Sequence, residues 1–292
     1  MRTRRLLVLL LLAVLAVPLL TPGPAPAAPT VPTLVGIRAA HHPGFDRVVF
    51  DFVGGLPASR RATYVDELRG DDSDLPIRIA GQAILRLRLQ SAQAHDSAGA
   101  TAPARRAFAL PNVMTTVLSG DNEGVVSYGI GLERRTAFHV STLRSPDRVV
   151  VDIDATFTTV PRRVYFLNQP NFVADRRPFF TPVSRPVQPA SPARGVLDRL
   201  FAGPVPSESR DGLTLLRSQA TDFADLSIGG GIARVRLVGG CDSQGSTVTV
   251  AGEIMSTLRQ FSTVDWVKIL DPAGNTERPT GRTDSIPTCL EP

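Results

Sequence analysis

Lysine is all but missing from this chain. Of its 292 residues 32 are basic, yet Lys268 is the single lysine and every other cation is arginine. That scarcity removes whole classes of chemistry. No Gly-Lys-Ser/Thr exists, so there is no P-loop to cradle a nucleotide phosphate. The residue three before Lys268 is Asp265, which excludes a Ser-x-x-Lys acylation motif. A Gly-x-Ser-x-Gly nucleophile elbow is absent as well. Histidine is nearly as scarce, at His41, His42, His95 and His139, with no His-x-x-x-His pair to seed a zinc site. His41 and His42 could act as ligands only if His95 or His139 converged on them; otherwise all four read as solvated loop and strand residues. Asp71, Asp72 and Asp74 lack the glycine and distal glutamate of a calcium loop and read as an acidic turn.

The pI near 10.0 does not signal nucleic acid. Setting aside Arg2, Arg4 and Arg5 leaves 29 basic against 27 acidic residues. With one lysine and three tyrosines, little titrates between neutrality and that pI, so a small arginine surplus sets it. No basic run is interleaved with aromatics, which excludes a nucleic-acid partner.

The N-terminus reads as a secretory signal peptide over residues 1–27. Its parts are a basic start, an apolar run from Leu6 to Leu20 broken by Pro18, and a small-residue site at Ala25-Pro26-Ala27. Membrane contact is expected only if this segment stays uncleaved, and the mature protein is expected outside the cytoplasm, in the cell envelope. There the two cysteines are most simply one disulfide, Cys241–Cys289, which would tie down a Pro-rich tail over 275–292. A free nucleophilic thiol at Cys241 is the alternative.

One hexapeptide occurs twice, as Asp46-Arg47-Val48-Val49-Phe50-Asp51 and Asp147-Arg148-Val149-Val150-Val151-Asp152. Both alternate with a period of two and predict strands. An antiparallel pairing sets Arg47 opposite Asp152 and Asp51 opposite Arg148, whereas a parallel one sets arginine beside arginine. Leu85, Leu87 and Leu89 alternate with Arg86, Arg88 and Gln90, a half-buried strand with a basic outer face. Further strands are predicted at Val113–Leu118, Val125–Ile130 and Ala137–Leu143, with turns at 119–122 and 145–147. Many short strands punctuated by glycine and proline predict a β-sandwich over 34–154.

Residues 162–274 change character. A strand at Val164–Leu167 precedes a proline-studded stretch predicted to run extended and anchored by Phe179 and Phe180. A helix follows over Ala193–Phe201, then a hairpin around Gly229-Gly230-Gly231, a helix over Val248–Phe261 and a strand over Trp266–Leu270. This order predicts a small α/β, two-layer α+β, domain.

The doubled strand, with the segment from Phe138 through Ser145-Pro146-Asp147 to Asp152, resembles the AMIN and AMIN-like domains. That resemblance implies a β-sandwich targeting module of bacterial envelope proteins, several of which bind peptidoglycan. The stretch between the two copies is longer than the compact pattern of that family. Val164-Tyr165-Phe166-Leu167, Leu200-Phe201-Ala202-Gly203-Pro204, the glycine hairpin with Ile232-Ala233-Arg234-Val235, and Thr257-Leu258-Arg259-Gln260-Phe261 leading to Trp266-Val267-Lys268 resemble the GerMN domain of sporulation and germination proteins. This implies assembly within envelope complexes and no catalysis. The combined expectation is a non-enzymatic protein without a cofactor. It would bind peptidoglycan, an anionic wall polymer or envelope protein partners, with Arg86 and Arg88 as the candidate binding face. The alternative is a cell-wall hydrolase or transpeptidase using Cys241 or the histidines.

Overall fold

The two hexapeptide copies lie side by side and antiparallel, with Arg47 opposite Asp152, Val49 opposite Val150 and Asp51 opposite Arg148. This is the register expected from their charges. The structure is a computed structural model that describes residues 31–292; the expected signal peptide lies outside the described residues. Among the described residues no helix is long and apolar enough to cross a membrane.

Thirteen strands make the first domain: β1 (Thr33–His42), β2 (Phe45–Val53), β3 (Ser59–Val65), β4 (Leu68–Arg69), β5 (Pro76–Ile77), β6 (Ala83–Gln90), β7 (His95–Asp96), β8 (Gly99–Ala100), β9 (Arg105–Ala107), β10 (Val113–Asn122), β11 (Val125–Leu132), β12 (Phe138–Leu143) and β13 (Arg148–Asp154). One sheet runs β1-β2-β13-β12 and the other β3-β6-β11-β10-β9. Their inner faces supply one core. Val48, Phe50, Val149, Val151 and Ile153 come from the first sheet, and Leu85, Leu87, Leu89, Val126, Tyr128 and Ile130 from the second. The predicted β-sandwich is the observed architecture. The turn expected at 119–122 is instead strand. A register shift between Leu118 and Gly120 carries β10 on to Asn122, and the chain reverses at Glu123 and Gly124, both at positive φ (+49° and +73°).

The long stretch between the two copies has a structural use. Leu68 and Ile79 cross the outer face of the second sheet and bury against Val117. Their close approach fixes two residues of β11. A Cβ on Gly129 would stand 2.6 Å from Leu68, and one on Gly131 would stand 2.1 Å from the Ala80 carbonyl oxygen.

The second domain comprises β14 (Val160–Asn168), α1 (Gln169–Val173), β15 (Phe180–Val187), α2 (Pro192–Ala202), α3 (Pro206–Arg210), β16 (Leu213–Thr214), β17 (Ala220–Gly229), β18 (Ile232–Gly239), α4 (Val250–Leu258) and β19 (Trp266–Leu270). Two three-stranded sheets, β15-β14-β16 and β17-β18-β19, enclose a core to which α2 and α4 contribute. The predicted α/β character holds, with one correction. The proline-studded stretch is not simply extended. Pro170 sits in the first turn of α1, capped by the Asn168 side chain, and Pro182 and Pro186 lie in β15, an edge strand where missing amide donors are tolerated. The helix expected over Val248–Phe261 is shorter at both ends, spanning Val250–Leu258.

Cys241 and Cys289 form a disulfide with Cα atoms 5.6 Å apart, closing 48 residues of chain. The tail it holds lies along the free side of β19, where Ser285 donates to the Val267 carbonyl (3.1 Å) and accepts from the Ile269 amide (2.9 Å). A Leu68→Ala substitution should cost about 2–4 kcal/mol, the usual penalty for emptying a fully enclosed leucine site. Chemical denaturation checks this, and a loss below about 1 kcal/mol would mean that the crossing segment is not docked on the sheet.

Candidate functional site

Period-two alternation places Arg86 and Arg88 on the outer face of β6, as expected, but the crossing segment reaches them there. Asp71 accepts from Arg86 Nη2 at 2.6 Å and from Ser127 Oγ at 2.6 Å, while Arg88 Nε stands 3.9 Å from the same carboxylate. Arg86 is thus committed to an internal bond. Arg88 remains more open, with its side chain 47% exposed, and sits directly opposite exposed Arg61 of β3. Arg61 has no hydrogen-bond or ion-pair partner among the described residues. The open cations of this face are therefore Arg61 and Arg88, a pair hidden from a reading of β6 alone.

Cys241 is held in the disulfide. His41 Nδ1 lies 2.7 Å from Asp46, whose other oxygen accepts the Asn112 and Val113 amides at 2.6 and 2.9 Å. His95 bonds Asp121 at 2.7 Å, and His42 stacks on Phe45 with ring centroids 5.0 Å apart. His139 projects opposite Asp152 on an exposed edge strand. Asp72 accepts from Asn122 and Asp74 lies beside Arg69. Among the described residues no three His, Cys, Asp or Glu side chains are grouped so that they could hold a metal ion.

The polar cluster that the sequence hid lies where the two domains meet. Met114 and Ala80 of the sandwich belong to the core of the second domain. Beside them Glu133, just past β11, faces Arg199 of α2 at 3.5 Å, and neither side chain is exposed at all. Arg199 also donates to the Pro111 carbonyl (3.0 Å), and Gln188 to Glu133 (3.4 Å). Burial lowers the Arg199 pKa to about 10, which leaves it charged at neutral pH. Its neighbour Asp198 is pushed up to about 7, first by burial. Arg194, at 3.8 Å and half exposed, offsets this only in part. Asp198 Oδ2 has no hydrogen-bond partner, in keeping with a carboxyl that is readily protonated. The apolar stripe of α2 pointed only to one buried face, whereas this helix is buried on both. Gly195 was the available signal, because a Cβ there would stand 2.9 Å from Val187 and 3.6 Å from Glu133.

On the outer face of the first sheet, Arg47 holds Asp152 through two bonds of 2.7 and 2.8 Å, and Arg38 of β1 holds Asp51 at 3.0 and 3.1 Å. The bond to Asp152 raises the Arg47 pKa. Arg148, although opposite Asp51, donates instead to the Pro146 carbonyl. Val49 and Val150 are buried between these pairs, so the face carries two ion pairs around an apolar centre. Residues 32–155 match the AMIN-like domain. The hexapeptide strands are thus the central pair of its first sheet. Residues 163–271 match the Germane (GerMN) domain, described as sporulation and spore germination. No curated protein and no solved structure matches the chain. An AMIN-like domain followed by a Germane domain marks a protein related to the cell envelope or to sporulation and germination.

Two outcomes follow for the junction between these domains. Arg199→Met should cost about 3–5 kcal/mol, because Glu133 is left buried and uncompensated, whereas the double change with Glu133→Leu should recover most of the loss in denaturation experiments. Asp198 titrates near 7 when folded and near 3.8 when unfolded. Its contribution to stability is therefore full below about pH 4 and lost as pH rises through 7. Buried Glu253 and Asp222 are raised too and act in the same direction. Stability should fall between pH 5 and pH 8 by less in Asp198→Asn than in the parent, and equal slopes would show that Asp198 carries no part of it.

Proposed function

We propose that this chain is a secreted, non-enzymatic envelope protein. Its AMIN-like domain binds peptidoglycan or an anionic wall polymer, and its Germane domain engages envelope protein partners. The observation that carries this reading is the shared core: Met114 and Ala80 pack within the Germane domain's apolar cluster, so the two modules move as one adaptor. On the AMIN-like domain the open Arg61 and Arg88 pair suits carboxylate or phosphate groups, which arginine grips through paired N–H donors. The competing reading, a hydrolase or transpeptidase, needs a free thiolate at Cys241 or histidines poised as bases. The Cys241–Cys289 disulfide and the internal bonds of His41 and His95 favour the binding reading instead.

The test is co-sedimentation of residues 28–292 with purified peptidoglycan sacculi at low and high salt, with soluble muropeptides assayed in the supernatant. The full chain is the right probe, because separating the domains would expose their shared core. Pelleting that weakens severalfold at high salt and in an Arg61→Glu, Arg88→Glu variant, without muropeptide release, is the expected result. Absence of pelleting would remove the wall ligand, and released muropeptides would reinstate the enzyme.

A further inference from the structure

The outer face of the β17-β18-β19 sheet carries two cations, Arg234 and Lys268, that meet no carboxylate. Ala233, Val235 and Leu237 of β18 face the core, so Arg234 and Arg236 face away from it. Arg234 pairs in register with Lys268 of β19 and with Ser227 of β17. Like charges directly opposite one another on adjacent strands destabilise a sheet. Arg236 has Asp225 at 2.6 Å. Arg234 has no hydrogen bond or ion pair among the described residues. The Lys268 ammonium, only 1% exposed, is capped by the carbonyls of Arg278 and Thr280 and meets no carboxylate. Burial lowers its pKa, and the charges of Arg234 and Arg278 lower it further.

Above these residues lies a cavity of about 410 Å³, bounded by Arg234, Arg236 with its partner Asp225, Ser227, Leu270 and the turn at Pro272–Gly274. Arg234 thus lines an open cavity with no counter-ion of its own, between the Arg236–Asp225 pair and the buried Lys268 ammonium, and is the one cation there left for a ligand to satisfy. We propose that this cavity is a binding site for a phosphate ester, gripped by Arg234 and Arg236 and stabilised from beneath by the Lys268 charge. A multiply charged oxyanion suits it better than a single carboxylate, since the charges of Arg234, Arg236 and nearby Lys268 outnumber the one carboxylate, Asp225, and arginine takes phosphate oxygens in pairs. The site goes beyond the wall-binding reading. It lies on the Germane domain and uses none of the residues tested with sacculi.

The phosphate could be free or borne by a lipid headgroup, so residues 28–292 are titrated with glycerol phosphate in solution and, separately, with phosphatidylglycerol vesicles. Arg234→Glu should weaken binding at least tenfold in whichever arm binds, while Arg144→Glu, at an exposed arginine of the first domain, should leave it unchanged. Because Arg234→Glu replaces repulsion by attraction to Lys268, it should also raise the ligand-free Tm by about 1–3 °C. That sign is opposite to the one a structural arginine would give. Saturable binding in solution identifies a soluble ester, and binding to vesicles alone identifies a headgroup. No binding in either arm, unchanged affinity in Arg234→Glu, or a lowered Tm in that variant would each overturn the proposal. None of these results bears on whether the chain pellets with sacculi.

Discussion

A glutamate and an arginine removed from water meet where the two domains join, and the arrangement of one domain on the other depends on that pair. Ion pairs of this kind contribute little net stability, because desolvation consumes most of the attraction. What they supply is selectivity among poses. Any rotation of α2 on the sandwich would separate Glu133 from Arg199 and leave two bare charges in an apolar setting. The surrounding groups show the same economy. Pro111 and Gln188 take up spare donor and acceptor capacity, and Asp198 beside them favours its neutral form. Arg199 still has Nε and Nη1 unpartnered, so the junction is tuned to one geometry without being fully satisfied.

Elsewhere buried carboxylates serve the backbone. Asp46 gathers two amides ahead of β10, and Glu253 of α4 accepts from Leu167 and Leu216, fastening helix to sheet. Each takes up backbone donors at or beside a strand end that the ladder leaves unpaired.

The features legible in the sequence were those written in local periodicity and charge. The hexapeptide strands, their register and the leucine alternation of β6 all follow from a two-residue repeat with complementary ends. The features that stayed hidden depend on contacts distant in sequence. Nothing local shows that Leu68 will lie on Gly129, or that Asp71 will bond Arg86, so the candidate face on β6 was credited with an arginine already in use. The turn after β10 slipped because a bulge moved it along the chain, and β15 was obscured by prolines that only an edge strand accepts. The second buried side of α2 was invisible because Asp198 and Arg199 read as solvent-facing when considered by themselves.

The tail lying against β19 has a protective consequence. Strand edges with unpaired amides and carbonyls are adhesive, and here the edge is occupied by a segment whose anchor is a covalent bond formed under oxidising conditions. With the cysteines reduced, the cover on β19 rests on non-covalent contacts alone, among them the hydrogen bonds of Ser285 and Asp284 to Val267. Closure of the disulfide therefore makes the cover on this edge covalent, so that a single cross-link also guards the sheet against pairing with a neighbouring chain.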